Sequence, residues 1–361
     1  MIEAGTARAD SPLLLLITDV RGLVPQRIMA WDGYDLNAIK KNLEPHGVEV
    51  KEVGAHRLDL RALDGRRRIA AFYSSSQAAH YKQYLQDLVS NLHFMGAVLY
   101  PGLEHMLAHE DKAYQAMRLS RTNLRTPRTF VFGYRDHAYE FLRSATFPLV
   151  GKTPHGFGSS GVRLIRNAAE GRRWAECNMI HRALDKGRPL YKRVWQRLMK
   201  PSPCLGLIVF QEFIPDLPGD WKILIWGDLA CGGFRENRPQ EFRASGSGRT
   251  RYVELPIPVL DFAFEALGEL ELPWGSFDVT YDGRQCALLE YQGLHFGLTF
   301  LDKGQFHYKR HGSGWWEKRI GKLPLEEQVA HIIRADMIRR GWISQDREPE
   351  DRGLPCDRES L

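Results

Sequence analysis

The stretch FPLVGKTPHGFGSSGVRLI, residues 147–165, decides how the chain reads. Phe147–Lys152 is a short apolar strand that ends in a lysine, and Val162–Ile165 is a second one. Between them, Pro154–Gly161 ends in six residues that include three glycines and two serines. Glycines let backbone N–H groups turn inward and come close to phosphate oxygens, and serine hydroxyls add donors. Lys152, on the strand entering the loop, can reach the same phosphates as a point charge. A plain hairpin loop is the alternative. No Gly-Lys-Ser/Thr follows, which excludes a P-loop, and a strand rather than a helix follows, which excludes a dinucleotide fingerprint.

Upstream, Asp111–Arg121 reads as a helix with Lys112 in its first turn, and Thr129–Phe132 as a strand. Downstream, the apolar strand Leu207–Phe213 ends in Gln211-Glu212-Phe213-Ile214, followed by Gly219-Asp220-Trp221-Lys222. A polar pair at such a strand end suits an adenine slot, with Asp220 accepting from ribose hydroxyls; taken alone, a strand end with solvated carboxylates is the simpler reading. Ser276–Tyr281 and Gln285–Tyr291 read as a hairpin around Asp282-Gly283. Glu290 and Gln292 lie two apart and share a face. Asp278 joins them only under a condition. A two-residue turn pairs it with Ala287 and sends Glu290 to the other side, so three oxygen donors on one face require a longer loop or a bulge. Such a set can hold Mg²⁺, which wants hard oxygen ligands shared with phosphates. Arg235, Arg238, Arg243, Arg249 and Arg251 populate a polar loop, where arginine can neutralise phosphoryl charge or clamp a carboxylate.

The flanks supply the frame. Leu13–Thr18, Val48–Val53, Ile69–Tyr73 and Ala97–Tyr100 read as strands alternating with helices at Tyr34–Leu43 and Tyr81–Phe94, a small α/β domain over residues 1–108. Arg172–Lys200 is basic and expected to be mostly helical, Val259–Leu267 and Leu325–Arg339 are helical, and residues 345–361 are charged and expected to be disordered. The 361 residues carry a net charge of +6, enough for a nucleotide and not a demand for nucleic acid. The longest aliphatic run, Leu13–Ile17, is too short for a bilayer, so no membrane segment is expected. Five scattered cysteines without CxxC fit a reducing cytoplasm and no structural zinc. His295 and the basic stretch 182–200 read more simply as a structural histidine and a solvated helix face than as substrate contacts.

The order of these features resembles the ATP-grasp superfamily, closest to the branch of glutathione synthetase and ribosomal-protein glutamate ligases. The residues that carry the resemblance are His109-Glu110-Asp111-Lys112 before Arg125–Thr129, Phe147–Lys152 with its glycine loop and Val162, and Gln211-Glu212-Phe213-Ile214. It covers roughly residues 97–300. It implies an α/β (α+β) ATP-grasp fold: a pre-ATP-grasp domain at 1–108, a central subdomain with the lid at 109–212, and a C-terminal subdomain with the metal hairpin at 213–344. It further implies that Lys112 and Lys152 contact ATP phosphates and that Gly156, Gly158, Ser159, Ser160 and Gly161 belong to a mobile lid. Gln211, Glu212, Phe213 and Ile214 would meet adenine, Asp220 the ribose with Lys222 beside it, and Arg235 and Arg243 phosphate and acyl groups. Asp278, Glu290 and Gln292 would hold two Mg²⁺, or Mn²⁺. The sequence departs from the family at Gln292, where asparagine is usual, at Lys222, where arginine is common, and at Arg243-Ala244-Ser245, in place of Arg-x-Asn.

The implied activity is ATP-dependent carboxylate–amine ligation through an acyl phosphate. The partners would be small-molecule acids and amines (amino acids, peptides or amino sugars), and a homodimer is admissible. Phosphotransfer to a hydroxyl, or a nucleotide-binding scaffold without turnover, are the alternatives.

Overall fold

The structure is a computed structural model that describes residues 11–25, 33–75, 79–156, 161–180 and 206–345. Gly158, Ser159 and Ser160 of the expected lid, the basic stretch 182–200 and residues 346–361 lie outside the described residues. The chain divides into two compact units: residues 1–103, 294–298 and 323–361, and residues 104–293 and 299–322.

In the first unit, strands β1 (Leu13–Thr18), β2 (Glu49–Gly54), β3 (Ile69–Phe72) and β4 (Val98–Tyr100) form a parallel sheet in the order β2-β1-β3-β4. Every residue of β1 and β3 is buried, as a parallel strand covered on both faces requires. Asp35 caps the helix Leu36–Leu43 by accepting from the backbone N–H groups of Asn37 and Ala38. The helix Leu325–Arg339, assigned from the sequence to segment 213–344, belongs to this unit and packs on Leu36–Leu43. Within the unit, Tyr100 Oη donates to Asp336 Oδ2 at 2.6 Å, and Arg339 and Arg340 close on the same carboxylate.

The second unit holds two sheets. The smaller contains β5 (Thr129–Phe132), β6 (Leu149–Lys152), β7 (Val162–Ile165) and β8 (Ile208–Glu212) in the order β5-β8-β6-β7, antiparallel throughout. The larger contains β9 (Gly219–Trp226), β10 (Leu229–Glu236), β11 (Thr250–Arg251), β12 (Trp274–Tyr281), β13 (Cys286–Gln292), β14 (Phe306–Arg310) and β15 (Trp316–Ile320). Its main path runs β13-β12-β9-β10-β14-β15, with β11 on β10. One face packs on the helix Ile257–Glu269, whose Val259, Leu260, Ala263, Ala266 and Leu267 are buried in a core with Ile223, Ile225, Phe277, Val279, Leu288 and Tyr291. Each large side chain so removed from water contributes about 1.5–3 kcal/mol. Alternation along the strands therefore turns Asp220, Lys222, Ser276, Asp278, Glu290 and Gln292 to the opposite face.

The fold differs from the sequence expectation in several places. Arg235 and Arg251, read as residues of a polar loop, lie on β10 and β11. β14 and β15 read as polar sequence and were not expected, and the long helix expected from Arg172 is, as far as Ile180, a helix over Ala168–Ala175 followed by a π turn at Glu176–Ile180. No helix among the described residues is long and apolar enough to cross a membrane.

Candidate active site

The two sheets of the second unit enclose a cavity of about 270 Å³. Lys112 and Gln115 line it from the helix Lys112–Leu119 and Ser120 from that helix's C-cap, Thr129, Phe130, Lys152 and Gln211 from the smaller sheet with Arg128 just before it, and Glu290 from the larger. Lys152 and Glu290, 138 positions apart in the chain, thus face one compartment.

Local chemistry places each group. Asp111 caps the helix by accepting from Ala113 N at 3.0 Å and Tyr114 N at 2.9 Å, which sets Lys112 at its first position. Lys112 holds the entry to the glycine loop: its N–H donates to Pro154 O at 2.8 Å and its ammonium donates to Gly156 O. Gly161, at φ +122°, closes the loop; a Cβ there would lie 2.1 Å from Thr153 Oγ1, so a side chain is excluded. Lys152, at the end of β6, is partly buried and lines the cavity. Burial pushes its ammonium down from 10.5 to about 8; Glu290 opposes the shift, Lys112 adds to it, and Asp278 opposes it again. Gln211 is buried, and its amide donates to Thr129 Oγ1 at 2.9 Å. Glu212 is exposed at the strand end and pairs with Arg128, and the Phe213 ring meets Phe242 edge-on at 5.6 Å. Glu212, Phe213 and Ile214 do not line the cavity.

The hairpin meets the condition that its sequence imposes. Tyr281 pairs with Cys286, Thr280 with Ala287 and Val279 with Leu288, but Asp278 pairs with Glu290, so Leu289 is the extra residue of a bulge. Asp282 Oδ1 accepts from Arg284 N and Gln285 N and shapes a four-residue loop where the sequence suggested two or three. The two carboxylates therefore stand on one face, opposite each other.

Their partners differ. Asp278 is held by Arg235 at 2.7 Å and Lys222 at 3.5 Å, and Lys222 Nζ also donates to Ser276 Oγ at 2.6 Å. Arg235 forks onto Asp220 as well, at 2.6 and 2.8 Å. Burial pushes the Asp278 carboxyl up, but Arg235 and Lys222 outweigh it and hold Asp278 below the usual range. For Asp220 burial prevails over Arg235 and the carboxyl is raised. Asp220, buried, and Arg235, partly buried, thus form a pair beside Asp278 and do not line the cavity. Arg243 Nη1 donates to Val162 O at 3.4 Å, at the foot of the glycine loop, and its guanidinium also pairs with Glu241. Gln292 donates through Nε2 to Glu290 Oε1 at 3.1 Å. His295, a buried residue, lies in the segment 294–298 of the first unit.

Among the described residues no cluster of three or more His, Cys, Asp and Glu side chains could hold a metal ion. Asp278 and Glu290 on one face, with Glu290 at the cavity wall, nonetheless fit a Mg²⁺ that takes one or two protein carboxylates and the rest of its oxygens from phosphates and water.

Two contributors escaped the sequence reading. Gln115 donates to Ala108 O and Tyr291 O, both at 2.9 Å, and so ties the lysine-bearing helix to β13. Its spacing of three from Lys112 on a helix was the available signal. Arg128 lines the cavity beside Thr129.

No family model and no curated protein sequence matches the chain. Solved structures do. The D-cycloserine synthetase DcsG aligns at a TM-score of 0.53 and 13% identity, over 89% of this chain and 99% of that one. The macrocyclase MdnC bound with its precursor peptide MdnA, from Microcystis aeruginosa MRC, aligns at 0.51 and 11%, over 89% and 98%. The ATP-grasp ligase PsnB complexed with a minimal precursor aligns at 0.50 and 12%, over 91% and 99%. The chain has the ATP-grasp fold. Its two sheets, the glycine loop between β6 and β7 and the carboxylate hairpin β12–β13 are the parts of that fold built above.

Proposed function

We propose that this chain is an ATP-dependent carboxylate–amine ligase. The observation that carries the reading is the shared cavity: Lys112 and Lys152 face it from one side and Glu290 from the other, between the two sheets of the ATP-grasp fold. In this reading Lys112 and Lys152 bind the phosphates of ATP, Gly156–Gly161 close over them, and Gln211 and the strand end beyond it meet the base. Glu290 and Asp278, with Gln292 beside them, face bound Mg²⁺, which when present neutralises charge on the transferring phosphoryl group.

The chemistry needs no side-chain nucleophile. A carboxylate oxygen of the acid attacks the γ-phosphorus, the bond to the β-bridging oxygen breaks, and ADP leaves with that electron pair. An amine then attacks the acyl carbon of the acyl phosphate, loses a proton, and inorganic phosphate departs. The protein's task is to position and to neutralise. Lys152 does this at the cavity wall, Lys112 once it exchanges the Gly156 carbonyl for phosphate oxygens. Two of the three neighbours above were solved with precursors, that of MdnC a peptide, which supports an amino acid or peptide among the substrates.

The test is Mg-ATP with a pool of amino acids, short peptides and amino sugars, followed by phosphate release and product mass. A ligase yields ADP, free phosphate and a product lighter by one water than its two substrates combined. ADP without free phosphate indicates transfer to a hydroxyl and overturns the ligase, and binding without turnover leaves a nucleotide-binding scaffold.

A further inference from the structure

His109 stands just before the helix cap, buried to 1% exposure. Its Nδ1 lies 3.1 Å from Gln292 Oε1, and Gln292 Nε2 lies 3.1 Å from Glu290 Oε1. The direction of this chain is set from its carboxylate end. Gln292 turns its N–H₂ toward the Glu290 carboxylate; the reversed amide would set oxygen against oxygen. The amide oxygen then faces His109, which must present Nδ1–H. Glu110, with a left-handed φ of 53°, joins His109 to the capping residue Asp111. A non-glycine residue costs free energy in that conformation and keeps it only where its surroundings hold it.

We propose that His109 is a positioning residue: it fixes the Gln292 amide, and Gln292 holds the Glu290 carboxylate toward the cavity as a hydrogen-bond donor rather than as a cation ligand. This assigns the departure from the family's asparagine a physical reason. The Gln292 side chain spans from Glu290 to His109, and asparagine, one methylene shorter, cannot reach both from the same backbone. It also replaces the expected role of Gln292 as a third metal ligand. The proposal rests on the reading of Glu290 as the residue facing bound metal.

The experiment has two readouts, neither of which needs turnover. Nitrogen NMR of histidine-labelled, metal-free protein reads the tautomer of His109, and the Nδ1–H form is expected. Mn²⁺ titration by electron paramagnetic resonance, with a non-hydrolysable ATP analogue present, reads the cation site. In His109→Asn the amide nitrogen replaces Nδ1, and Mn²⁺ affinity should stay within about twofold of wild type. In His109→Gln the nitrogen sits nearer the Nε2 position, and Mn²⁺ affinity should fall about tenfold or more, in the range lost when partners of metal-facing residues are removed. Gln292→Asn should fall with it, while metal-free nucleotide affinity stays unchanged in all three. Equal Mn²⁺ affinities for His109→Asn and His109→Gln, full affinity in Gln292→Asn, a His109 carrying its proton on Nε2 alone, or no Mn²⁺ uptake by wild type would each overturn the proposal. Should the variants separate as expected while no acid and amine are joined, the ligase reading falls and this one stands.

Discussion

Lys152 turns the electrostatics of the cavity into a measurable proton count. Its ammonium is lowered to about 8 from 10.5 because burial penalises the charged form. The difference is worth on the order of 3 kcal/mol, at ~1.4 kcal/mol per pH unit. The sign follows from linkage. Below pH 8 the lysine is charged in both folded and unfolded chains and the whole penalty bears on stability. Between 8 and 10.5 the unfolded chain holds more protons, so stability contributed by this group rises with pH; above that window the penalty is gone. Phosphates brought to the cavity reverse the balance and return the lysine to its charged form. Binding of a metal-free ATP analogue should therefore take up about 0.9 proton at pH 9 and about 0.1 at pH 7, if the bound ammonium titrates near its ordinary value. Affinity should fall as pH rises through 8, by up to about tenfold per unit. Calorimetry in two buffers of different ionisation enthalpy measures the uptake directly, and Lys152→Met should remove it. Equal uptake in wild type and Lys152→Met at pH 9, or none in wild type, would refute the reasoning.

Glu290→Gln removes charge at constant shape; ADP formation should drop at least about a hundredfold while the melting profile stays intact, because phosphoryl transfer relies on charge neutralisation at this wall. Asp278→Asn should cost about 2–3 kcal/mol in urea unfolding, less than the ~3–5 kcal/mol for an orphaned buried ion, since Asp220 still holds Arg235. Tyr100→Phe should cost about 2 kcal/mol at pH 7 through the bond lost to Asp336. Burial raises the Asp336 carboxyl, but Arg339, Arg340 and Tyr100 outweigh it and hold it below 3.8. Its contribution is present above that value and lost as pH falls through the lowered one, so wild type and Tyr100→Phe should converge in acid unfolding. Mn²⁺ should bind tightly only after nucleotide, and comparable affinity without nucleotide would contradict the cavity's charge balance.

The parts of this molecule legible in its sequence are those whose chemistry is local. A lysine followed by three glycines between two apolar runs announces β6, its loop and β7, and Asp111 before Lys112 announces a helix start. The hairpin was legible as a condition: the need for a bulge follows from period two, but which residue bulges does not. Leu288 and Leu289 are identical in type, and only pairing with β12 and packing on the helix Ile257–Glu269 leave Leu289 as the extra one. β14 and β15 were missed because Phe306–Arg310 and Trp316–Ile320 interleave lysine, arginine, histidine and glutamate with their apolar residues, which suppresses the apolar signal, and the charges on the edge strand β15 discourage further pairing. The pairing of Arg235 with both Asp220 and Asp278 was not legible at all, since it joins three strands across 58 positions of chain.

That pairing also decides what the cavity can attract. Asp220 and Asp278 are already balanced by Arg235 and Lys222, so they present little net charge beyond the face of the sheet. Among the described residues, those that line the cavity include Lys112, Arg128 and Lys152 but a single carboxylate, Glu290. An excess of positive charge in a low-dielectric enclosure draws a polyanion first and repels a free dication. In the proposed reading the sign inverts once phosphates enter, and Glu290 would become one wall of a site whose other wall is the nucleotide. The bulge at Leu289 is what allows this, because it brings Glu290 to the face that carries Asp278 and its cations rather than leaving it among the apolar residues of the core. A chain with the same composition but a regular hairpin would keep its lysines and lose the carboxylate that opposes them, and on the proposed reading it would bind phosphate without a place for the cation.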